Sequence, residues 1–78
     1  MNILQRLTLA EALCQRQNSK LTPLRRACLQ ALYEQARPLT TYDLLRLLRR
    51  QHPKLEAMTI YRILSFLEKC QLIHRINS

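Results

Sequence analysis

What this 78-residue sequence lacks constrains it most: there is no glycine, while leucine occurs 17 times. Average usage near 7% would give about five glycines. Their absence removes the phosphate-cradling loops of nucleotide enzymes, where only glycine lets the backbone come close enough. It also disfavours two-residue hairpins of the Asn-Gly or Gly-X type. A Leu-rich, Gly-free chain with many Gln and Arg residues has the composition of a compact helical domain. The length allows one domain with a small core, stable by only a few kcal/mol.

Other function classes fall away on simple grounds. No apolar run approaches the roughly 20 residues that span a bilayer. The N-terminus, Met1-Asn2-Ile3-Leu4-Gln5-Arg6, breaks its apolar stretch with charge and has no cleavage-site pattern, so no secretory signal is read. Cys14, Cys28 and Cys70 are odd in number and widely spaced, which argues against a disulfide framework and a zinc knuckle. Free thiols suit a reducing cytoplasm, and each cysteine reads as a small core residue. Thirteen Lys and Arg face five Asp and Glu, for a net charge of +8. The excess is concentrated between residues 20 and 50, and ten of the bases are arginine, the side chain suited to phosphates and base edges. Such a charge raises the expectation of a nucleic-acid partner.

Along the chain, apolar residues mark four helices. The first covers about Asn2 to Gln17, with Ile3, Leu7, Ala10, Leu13 and Cys14 as its stripe. Asn18-Ser19-Lys20 is a break. Thr22 as N-cap and Pro23 at the first helical position open the second helix, which runs to about Gln35 and buries Leu24, Cys28, Leu29, Leu32 and Tyr33. Arg25 and Arg26 in its first turn oppose the helix dipole. Thr40 caps a third helix from Thr41 to about Gln51, with Asp43 completing a capping-box-like pair. Leu44, Leu45, Leu47 and Leu48 form its core side, and Arg46, Arg49 and Arg50 share another face. His52-Pro53-Lys54-Leu55 connects to a fourth helix, Ala57 to Cys70, whose Ile60, Ile63, Leu64 and Leu67 form a clean apolar series. The segment Leu72-Ile73-His74-Arg75-Ile76 is β-branched and short and predicts a strand. With Asn77-Ser78 following it, the chain reads as one domain, residues 1–78, truncated before a wing.

Helices joined by tight turns and followed by a strand give the order of a winged helix-turn-helix, a mainly α fold. The fourth helix is then the candidate reader of a DNA major groove, presenting Met58, Thr59, Tyr61, Arg62 and Ser65 opposite its apolar side. Arg62 can make a bidentate contact to guanine, and Tyr61 and Thr59 can reach a thymine methyl or a phosphate. Catalysis finds no support: no Ser/His/Asp set, paired carboxylates or His/Cys cluster has workable spacing. A metal site needs three or four ligands, and none is assigned in this chain.

Three motifs carry a family resemblance. Lys20-Leu21-Thr22-Pro23-Leu24-Arg25 and Ala57-Met58-Thr59-Ile60-Tyr61-Arg62-Ile63-Leu64, continuing through Leu67 and Leu72-Ile73-His74-Arg75, resemble the opening and the recognition helix of the ferric uptake regulator family. Thr41-Tyr42-Asp43-Leu44-Leu45 is similar to its zinc uptake regulator branch. The resemblance covers about residues 4–76. It implies the DNA-binding domain of a cytoplasmic, metal-responsive repressor that binds a palindromic operator in double-stranded DNA as a dimer. It also implies zinc, or alternatively iron, for a full-length parent with a separate C-terminal metal and dimerisation domain. This fragment itself is expected to be a monomer without a metal. On the same resemblance Tyr42 and Arg62 match a purine-reading pair and Tyr61 a tyrosine that packs on bases. Lys20 matches a basic residue near the minor groove, and Arg25 a phosphate-contacting arginine.

Some positions depart from that pattern. Met58 and Ile60 are mild changes. Cys70-Gln71 stands in place of Gln-Gly, so a left-handed helix cap there costs a non-glycine residue roughly 1 kcal/mol. Arg37 and Pro38 stand where some iron-type members carry histidines. Two alternative readings are a stand-alone basic winged helix that docks a protein and an amphipathic first helix lying on an anionic membrane. For the latter, Leu4, Leu7, Leu9 and Leu13 are explained instead by a core role.

Overall fold

The computed structural model describes residues 2–35 and 37–74. Among them the chain forms four helices, α1 (Ile3–Arg16), α2 (Pro23–Glu34), α3 (Thr41–Leu48) and α4 (Ala57–Lys69). Local chemistry sets the first three starts. Asn2 and Gln5 form a capping box on α1, with Asn2 Oδ1 accepting from the Gln5 amide at 2.8 Å. Thr22 Oγ1 accepts from the Arg25 amide at 3.3 Å, with Pro23 at the position whose N–H has no helical partner. Thr40 and Asp43 form the second capping box, at 3.0 and 3.1 Å. Its hydrogen bonds, above all the Thr40 amide, hold the Asp43 carboxyl below its usual range.

The helix ends explain how the chain manages without glycine. Asn18 (φ 57°) and Gln71 (φ 62°) both take the left-handed conformation that usually belongs to glycine. At α1 the Ser19 amide reaches the Cys14 carbonyl at 2.8 Å and the Asn18 amide reaches Gln15 at 3.1 Å. At α4 the Leu72 amide reaches Leu67 and the Gln71 amide reaches Glu68, both at 2.9 Å. Each is a complete Schellman closure. Asn tolerates this backbone well; Gln does so at a cost. The cap expected at Cys70-Gln71 is therefore present, with the strained residue in place.

Packing centres on α2, which lies against α1, α3 and α4, while α3 also packs on α4. The core joins Leu7 and Ala10 of α1 and Cys28 and Leu29 of α2 to Leu44, Leu45 and Leu48 of α3 and the Ile60, Ile63, Leu64 and Leu67 series of α4. Leu24, Leu32, Tyr33 and Leu47, expected inside, are only half-buried. The α3–α4 turn is braced by two contacts: Leu55 is buried, and Arg49 Nε donates to its carbonyl at 2.8 Å. The helical bond pattern of α3 gives way after Leu48, three residues before the expected Gln51, because residues 49–51 turn toward this connection.

Two further expectations change. The predicted strand 72–76 is not seen over Leu72–His74, which follow the α4 cap as a bend. No strand lies beside them among the described residues, and a ladder needs a partner. Arg75 and Ile76 lie outside the described residues. On α1, Leu7 is core, but Leu4, Leu9 and Leu13 are 64%, 50% and 41% exposed, so a core role does not account for them.

Candidate nucleic-acid interface

The outer face of α4 follows from its periodicity. Ile60, Ile63, Leu64 and Leu67 turn inward, which leaves Met58, Tyr61, Arg62 and Ser65 exposed on the opposite side. Tyr61 is 48% and Met58 58% exposed, high values for large apolar side chains. Among the described residues Arg62 makes no ion pair or hydrogen bond. It is an exposed fork of donors in the first half of the helix, well placed for an external acceptor.

Thr59, Arg62 and Phe66 fall at i, i+3 and i+7 and form the shoulder of α4 that turns toward α2. There the Arg25 guanidinium lies 3.8 Å from the centre of the Phe66 ring, and its Nη1 donates to the Lys20 carbonyl at 2.9 Å. One side chain thus ties the segment before α2 to α4. Thr22, Leu24, Arg25, Thr59, Arg62 and Ile63 line a shallow cavity of about 260 Å³ between the two helices. Three of the expected site residues, Arg25, Thr59 and Arg62, meet in this cavity. Tyr61 and Ser65 share the exposed side of α4 with Arg62. Lys20 is exposed, with its carbonyl held by Arg25.

Tyr42 does not line that cavity. It stands 67% exposed on α3, with the Arg46 guanidinium 5.9 Å from its ring. The two arginines at the start of α2 avoid the dipole penalty by finding partners. Arg25 folds back as described, and Arg26 Nε pairs with Glu11 at 3.0 Å. A second ion pair among the described residues, Arg37 to Asp43 at 3.3 Å, also lies away from α4. Glu11, Asp43 and Glu34 are thus engaged away from the exposed side of α4.

Phe66 and Arg49 make structural contacts beside these residues that the sequence alone did not indicate. Phe66 sits four residues after Arg62 on the same shoulder, a spacing that marks it as a neighbour of whatever Arg62 faces. Nothing in the sequence indicates that Arg49 would bond the Leu55 carbonyl. Among the described residues, no group of three His, Cys, Asp or Glu side chains could hold a metal ion, and no helix is long and apolar enough to cross a membrane.

Comparison with known proteins adds an independent line. A family model described as the Ferric uptake regulator family matches residues 16–78. Two proteins named Zinc uptake regulation protein, from Escherichia coli (strain K12) and Shigella flexneri, are each 38% identical over 72 residues. The alignments cover 92% of this chain and 42% of each relative, so the chain spans less than half their length. No solved structure matches.

Proposed function

Because this chain belongs to the ferric uptake regulator family, we propose that it is the winged-helix DNA-binding portion of a metal-responsive transcriptional repressor. Its α4 enters the major groove of a palindromic operator, and Arg62 reads a guanine edge through its paired donors. Tyr61, Thr59 and Ser65 contact neighbouring bases and phosphates, Tyr42 reaches the duplex from α3, and Lys20 approaches the minor groove. Arg25 meets a phosphate while bracing Lys20 against α4. The observation that carries this reading is Arg62, without an ion pair or hydrogen bond among the described residues, on an exposed α4 face beside a shoulder fixed by the Arg25–Phe66 stack.

The names of the relatives favour zinc as the metal of the parent regulator, with iron the alternative. The described residues do not fit a metal site, so metal sensing is not assigned to any residue of this chain. Dimerisation belongs to the parent, and the 78-residue chain acts as a monomeric reader with no chemistry of its own. A protein acting on chromosomal DNA in this way works in the cytoplasm.

Titration against a palindromic AT-rich duplex and a scrambled control, at two salt concentrations, tests this. The expected result is tighter binding to the palindrome and a steep loss of affinity with salt, as counterion release requires. Equal affinity for both duplexes would reduce the reading to charge attraction, and absence of binding would favour a protein partner for the basic surface.

A further inference from the structure

The C-terminal ends of α1 and α4 meet, and each carries a buried cysteine, Cys14 and Cys70, 56 positions apart in sequence. The contact that fixes this junction is made by Gln17, whose Nε2 donates to the Cys70 carbonyl at 3.2 Å and to the Leu13 carbonyl, next to Cys14, at 3.3 Å. Burial first, and then the neighbouring Cys70 thiol, push the Cys14 thiol up. Both helix ends are held by their Schellman closures, with the Cys14 carbonyl as the acceptor for Ser19. Cys14 is 0% and Cys70 4% exposed, so Cys70 is the nearer to solvent. The third thiol, Cys28, lies alone in the core between α1, α3 and α4.

We propose that Cys14 and Cys70 form an oxidation site: a hydroperoxide closes them into an intramolecular disulfide that joins α1 to the end of α4, and Cys28 stays reduced. The chemistry balances with hydrogen peroxide as the oxidant. The Cys70 sulfur gives up its proton and attacks one peroxide oxygen; the O–O bond breaks, water leaves, and Cys70 becomes a sulfenic acid. The Cys14 sulfur then gives up its proton and attacks the Cys70 sulfur; the S–O bond breaks and a second water leaves. Two thiols and one peroxide become one disulfide and two waters. Burial raises the Cys14 thiol above its ordinary range, so little of it is thiolate at neutral pH and closure is slow there, accelerating as pH rises. The bond would close a loop of more than 50 residues without displacing the face of α4 that carries Arg62. Oxidation is therefore expected to stabilise the domain while preserving its exposed reading face.

The test treats the purified chain with hydrogen peroxide at pH 7 and pH 8.5, blocks remaining thiols, and maps tryptic peptides without reduction. The expected product links the peptide holding Cys14 to the one holding Cys70, forms faster at the higher pH, and leaves Cys28 blocked by the alkylating reagent. Thermal melting of this product should show a Tm on the order of 10 °C above the reduced form, reversed by dithiothreitol. The Cys28→Ala variant should give the same link. Linkage through Cys28, dimers joined between chains, over-oxidation of Cys70 without a link, or unreacted Cys14 and Cys70 would each overturn the proposal.

Discussion

Arg25 offers the sharpest perturbation, because its structural and DNA-facing roles can be separated. Its guanidinium stacks 3.8 Å from the Phe66 ring centre and bonds the Lys20 carbonyl at 2.9 Å. A half-exposed cation–π contact is worth about 0.5–1 kcal/mol, and a hydrogen bond from a charged donor at a solvated site about 1 kcal/mol more. Arg25→Ala should therefore lower unfolding free energy by roughly 1.5–2 kcal/mol, or about 6–16 °C in Tm for a domain of this size. Arg25→Lys keeps the charge but loses the flat stacking surface and the fork of donors, so it should cost about 1 kcal/mol. Urea unfolding of the wild type, Arg25→Ala, Phe66→Leu and the double variant gives the coupling directly, expected at about 0.5–1 kcal/mol. On a duplex, Arg25→Lys should weaken binding while leaving the salt slope unchanged, since the charge remains. A coupling indistinguishable from zero, together with wild-type stability of Arg25→Lys, would refute the brace.

Three other outcomes follow from the same structure. Gln71→Gly relieves the left-handed cap (φ 62°) and should stabilise the domain by up to about 1 kcal/mol in urea unfolding; a loss of stability would show that the Gln71 backbone carries no strain. Burial pushes the Cys28 thiol from 9.0 up to about 12, so its neutral form is favoured in the fold. That contribution is complete below the unfolded value near 9 and is lost as pH climbs toward 12. Stability should thus fall more steeply above pH 9 in the wild type than in Cys28→Ala, and parallel profiles would contradict it. Leu29→Ala, at a fully buried site, should cost about 2–5 kcal/mol and unfold much of the population at 37 °C; a near-normal Tm would mean that α2 is not the centre of the core.

Helix starts were legible because their chemistry is local. Thr22-Pro23 and Thr40-x-x-Asp43 announce themselves within four residues, and the structure places both caps where the spacing predicts. The α4 apolar series was equally clear, so its exposed face could be named in advance. Other features depended on contacts distant in sequence. Leu4, Leu9 and Leu13 look like core residues by type, yet α1 is covered only along the line through Leu7, Ala10 and Cys14. The end of α3 turns on Arg49 reaching Leu55, and the site brace on Arg25 reaching Phe66, 41 positions away. The predicted strand rested on β-branched composition, which cannot supply a pairing partner. The absent glycine, first a reason to expect helices, proves also to leave Gln71 in glycine's conformation.

The central claim is that Arg62 on α4 reads sequence, whereas the exposed arginines of α3 and of the turn that follows it supply only charge. The direct measurement is the ratio of affinities for a palindromic duplex and its scrambled control, for the wild type, Arg62→Ala and Arg50→Ala. Arg62→Ala should lose about 1–3 kcal/mol on the palindrome and bring the ratio toward one. Arg50→Ala should weaken both duplexes equally and leave the ratio intact. A preference for the palindrome that survives Arg62→Ala unchanged would contradict the account.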